Sequence, residues 1–70
     1  MSVHLHREIE QLKRKILSLG AQVEEAIADA ITSVHDRDDT LARQVVERDN
    51  EIDRMEIEVE EDCLKILALH

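Results

Sequence analysis

The chain has no proline, no phenylalanine, tryptophan or tyrosine, one glycine and one cysteine in 70 residues, and each shortage removes a class of protein. Without proline, and with a lone glycine, there is too little turn punctuation for an all-β fold. Without aromatic rings there is no platform on which unpaired bases could stack. A net charge of −8 further opposes any approach to a phosphate backbone, so nucleic acid is not an expected partner. A lone Cys63 cannot close an internal disulfide. No run of 18 apolar residues is present, which excludes a membrane-spanning helix, and the opening residues do not read as a cleavable signal. The expected compartment is the cytoplasm, with any membrane contact indirect. Chains below roughly 70–80 residues seldom build a core worth more than ~3–5 kcal/mol without a staple. A partner is therefore expected from size alone.

What is present is helical spacing. Leu5, Ile9, Leu12, Ile16, Leu19, Val23, Ala26, Ala30 and Val34 recur at steps of three and four, the signature of one face of a long helix. Ser2 is a candidate N-cap for it. Leu17, Ala21, Ile27, Ala28 and Ile31 widen the apolar face beyond a simple seam, as expected of a helix that meets two neighbours. Gly20 interrupts this helix. It is either a tolerated glycine or a point where another helix approaches closely.

The pattern breaks at His35-Asp36-Arg37-Asp38-Asp39-Thr40. Asp38 is the expected N-cap of a second helix, and Asp39 places a carboxylate against its positive dipole end. Leu41, Val45, Ile52, Met55, Val59, Cys63 and Ile66 then form one stripe, with Ile57, Leu64 and Leu67 forming a second. The sequence thus predicts an all-α fold occupying residues 1–70 as one unit. It is a long antiparallel hairpin with helices over about 3–35 and 39–69. A hairpin covers one stripe on each helix, so the second stripes are expected to be interaction surfaces. The pattern is still apolar at Leu69-His70, without a polar cap, as in a sequence cut short. Self-association into a helical bundle, as a dimer of hairpins, or a lost third helix would supply the missing contacts.

The charge is unevenly spread. Residues 1–35 carry four Lys/Arg and five Asp/Glu, whereas residues 36–70 carry five and twelve. Asp49, Asp53, Glu56 and Glu60 step by four, three and four, forming a single acidic stripe that borders the apolar one. Like charges at these spacings destabilise a helix by about 0.2–0.5 kcal/mol per pair, so the stripe calls for a countercharge. Lys13 or Arg14 from a neighbouring helix could supply it. So could a hard cation such as iron, manganese or magnesium, since an all-carboxylate donor set disfavours zinc. Glu51, Glu58, Glu61 and Asp62 read as a solvated face able to pair with Arg54 or Lys65 along the helix.

Other sites fail on spacing. Asp36 to Glu47 faintly mimics a calcium-binding loop, but Leu41 stands where the sharp turn requires glycine. His4 and His6 point about 200° apart on a helix and cannot chelate together. Cys63 lies on an apolar face among acids, without a basic neighbour to activate it, so it reads as structural. No nucleophile–base pair or glycine-rich phosphate loop is present, and an enzyme is not expected.

The stretch LHREIEQLKRKILSLGAQVEEAI, Leu5 to Ile27, resembles the opening helix of the PhoU family of phosphate-uptake regulators. The likeness continues through HDRDDTLARQVVERDNEID and IEVEEDCLKILALH. Its more specific parts are Ile-Leu-Ser-Leu-Gly, Asp-Asn-Glu-Ile-Asp and the terminal Cys-Leu-x-x-Leu-Ala-Leu. The resemblance implies two repeated three-helix bundles, of which this chain matches the first two helices of the first repeat. It also implies a non-catalytic regulator, or a fragment of one, acting on phosphate uptake and phosphate-responsive signalling. The implied partners are a membrane-bound sensor histidine kinase and the phosphate ABC transporter. The family's acidic metal motif, Glu/Asp-x-x-x-Asp, falls on Asp49 and Asp53, and Glu56 and Glu60 extend it on geometry alone. Its partner motif belongs to a third helix that this sequence lacks. The competing expectation is a purely structural hairpin dimerisation module with no metal site.

Overall fold

The computed structural model describes residues 3–70. Helix α1 runs Val3–His35 and helix α2 runs Asp39–Leu69. They pack antiparallel along their length, giving a rod with extents of 52 × 15 × 11 Å. Both helix boundaries match the sequence expectation. The expected cap at Ser2 lies outside the described residues.

The connecting turn closes both helices in three residues. The Asp38 amide donates to Ser33 O at 2.8 Å and the Arg37 amide to Val34 O at 3.3 Å, the bonding pattern of a Schellman end. The left-handed position this end requires falls on Arg37, with φ of 53°, where glycine is the usual occupant. Asp38 then serves α2: its Oδ1 accepts from the Leu41 amide at 3.0 Å. At the far end the His70 amide donates to Ile66 O at 3.1 Å, and the His70 ring sits 2.9 Å from Glu8 Oε2. The His70 ring thereby ties the last turn of α2 to α1.

The seam is built on a seven-residue repeat. Leu5, Leu12, Leu19, Ala26 and Ser33 on α1 face Val45, Ile52, Val59 and Ile66 on α2, and among the described residues only Ile52 and Ser33 are buried. Ser33 is accommodated at the crowded tip because its Oγ donates to Ala30 O at 2.7 Å. Of the predicted α1 stripe, Leu5, Leu12, Leu19, Val23, Ala26 and Ala30 are half-buried, and the expectation is corrected at Ile9, Ile16 and Val34, which are exposed, Val34 by 79 %. The packing face of α1 is rotated away from them, toward half-buried Glu8, Lys15, Gln22 and Asp29. That flank carries the charges that pair with α2. The predicted α2 stripe is in place, with all seven of its residues half-buried or buried. The hairpin therefore has two unlike flanks, one laced by ion pairs and one open and apolar.

Candidate functional site

On the laced flank, Lys15 Nζ lies 2.7 Å from Glu58 Oε1 and 2.6 Å from Asp62 Oδ2. Higher up, Arg48 Nη2 lies 2.6 Å from Asp29 Oδ2, and Arg48 Nη1 lies 3.7 Å from Glu25 Oε1. Hydrogen bonds to Asp62 and then Glu58 raise the Lys15 pKa well above the ordinary lysine value of 10.5. Arg48 holds the opposite helix through its terminal nitrogens while its buried Nε has no partner. The expected solvated role of Glu58 and Asp62 is corrected: they face α1, where Lys15 reaches them, and not Arg54 or Lys65 on their own helix. Sequence reasoning missed this flank. The signal was present in Glu8, Lys15, Gln22 and Asp29, which recur at seven-residue intervals beside the leucine line.

The open flank carries the acidic stripe. Asp49 and Glu56 edge a shallow groove floored by Val23, Ala26, Ala30, Val45 and Ile52. At 100° per residue, Glu56 is about 40° round the helix from the buried Ile52, and Asp53 about 100°. Asp53 and Glu60 therefore stand farther out on the same side, and all four carboxylates are exposed. Among the described residues none of the four has an ion-pair partner. Neither Lys13 nor Arg14 of the same chain neutralises them. Lys13 lies on this flank too, against Ile9, Leu12, Ile16 and Leu17.

The fit of the stripe to a cation can be judged from this arrangement. Among the described residues no three His, Cys, Asp or Glu side chains converge as a metal-holding group. A single helix offers its carboxylates in a row, and a cation there would need donors from a second helix or chain. Gly20 is also placed: a Cβ added there would meet nothing within 4 Å. The close approach considered for Gly20 does not occur within the hairpin. Cys63 is a free, half-buried thiol at the seam, and His4 and His6 are exposed on α1.

Fold and surface together define a helical-hairpin module with one self-satisfied flank and one open, acid-edged flank. The family model for the PhoU domain matches residues 16–70. The chain belongs to the PhoU family. It is 42 % identical over 67 residues to the phosphate-specific transport system accessory protein PhoU of Edwardsiella tarda, covering 96 % of this chain and 28 % of the relative. It is 34 % identical over 68 residues to the protein of the same name from Escherichia coli strain K12, covering 97 % of this chain and 28 % of the relative. PhoU homolog 1 of Thermotoga maritima is 39 % identical over 66 residues, covering 94 % and 28 %. The chain thus spans little more than a quarter of the length of these relatives. No solved structure matches it. Among the described residues no helix is long and apolar enough to cross a membrane.

Proposed function

We propose that this chain acts as a non-catalytic regulator of phosphate transport and of phosphate-responsive signalling, working by protein contacts in the cytoplasm. The observation that carries the reading is the match along nearly the whole chain to accessory proteins of phosphate-specific transport systems. The partners proposed are the phosphate ABC transporter and a sensor histidine kinase, met through the exposed, acid-edged helical surface. Asp49 and Asp53, extended by Glu56 and Glu60, are proposed to hold a hard cation, iron, manganese or magnesium. The remaining donors would come from outside this hairpin. Such an ion would neutralise the row of carboxylates and stiffen the face that partners meet.

The regulatory reading is tested in a bacterium lacking its own family member, with a phosphate-responsive reporter. Expression of this chain should lower reporter output in phosphate-rich medium. An unchanged output, with the protein present and folded, would remove the regulatory role. The cation is tested separately by thermal unfolding with and without ferric iron, manganese or magnesium. Stabilisation that disappears in Asp49→Ala/Asp53→Ala supports the site. A metal-indifferent curve, with the double variant more stable through relieved repulsion, would rule it out.

A further inference from the structure

We draw no further inference here: the strongest candidate, the open apolar flank of the hairpin along Leu17, Ile27 and Ile31 of α1, is an unpartnered helix face, and nothing in the structure shows what covers it.

Discussion

Lys15 and Asp62, 47 residues apart in sequence, are joined by a 2.6 Å hydrogen-bonded ion pair that sets the register of the whole hairpin. The same lysine holds Glu58 one turn away, so one cation clamps two turns of α2 against the leucine line of α1. The charge flank does what a wider apolar seam would do in a larger protein, and it leaves the second apolar flank free.

The pH dependence of this clamp follows from its sign. The Lys15 pKa is raised in the folded chain above the ordinary value of 10.5, through its hydrogen bonds to Asp62 and Glu58. A raised pKa favours folding fully below the unfolded value, and the contribution is lost as pH rises toward and through the folded one. The stability difference between the native chain and Lys15→Met should be constant from neutrality to about pH 10 and shrink above it. Urea unfolding at a series of alkaline pH values measures this. A difference that vanishes already at pH 8 would show that the clamp is not what Lys15 contributes. High salt should shrink the difference at every pH, because the pair is open to solvent.

Arg48 makes a second, separable contribution. Arg48→Met leaves Asp29 facing the seam without its 2.6 Å partner and should cost about 1–2 kcal/mol. Arg48→Met/Asp29→Leu should recover most of that loss, because no unpaired charge then remains and the new side chains pack. Chemical denaturation of the four chains of this cycle gives the coupling directly. Additive losses would mean that the two residues act independently.

The sequence made some of this legible and hid the rest for identifiable reasons. The Asp38 cap, both helix limits and the α2 stripe were readable because each depends on local chemistry: a carboxylate before a helix, or spacing along one turn. The face of α1 was misplaced because Ile9 and Ile16 look like seam residues by spacing. Which side of Leu12 turns inward depends on what α2 presents to it, including Asp62 and Glu58 beside Lys15. Single-helix periodicity does not contain that information. The positive φ of Arg37 was hidden for a similar reason, since nothing in the side chain marks it. The acidic stripe was found and is exposed where spacing placed it, but a row on one helix cannot show which donors would complete a cation site.

Two positions have room for improvement, and they differ in mechanism. Arg37→Gly relieves a left-handed backbone position and should stabilise by about 0.5–1 kcal/mol. Gly20→Ala places a methyl in open space and should add about 1 kcal/mol from helix propensity. They lie at different places on the rod, so the gains should add, raising Tm together by roughly 6–12 °C for a chain of this size. Scanning calorimetry of the two single variants and the double variant checks this. If Gly20→Ala instead lowers Tm, a second chain comes close at that residue and the hairpin is not the unit that melts.

The division between seam and open face makes the sharpest contrast. Ile52 is 6 % exposed and Leu64 is 67 % exposed, although both are branched aliphatic residues on the same helix. Ile52→Ala removes packed atoms from the middle of the seam and should cost roughly 2–3 kcal/mol, the lower end for a core truncation because so thin a seam relaxes into the gap. Leu64→Gln removes nothing that the hairpin covers, and its intrinsic cost should stay within about 0.5 kcal/mol. Where folding is coupled to association, Tm rises with protein concentration. Melting each variant from about 5 to 500 µM separates the two kinds of residue. Ile52→Ala should lower Tm at every concentration. Leu64→Gln should act only where the native Tm depends on concentration, by removing part of that dependence. Equal losses from the two substitutions at all concentrations would mean that the open face is packed within the monomer, contrary to the fold described above.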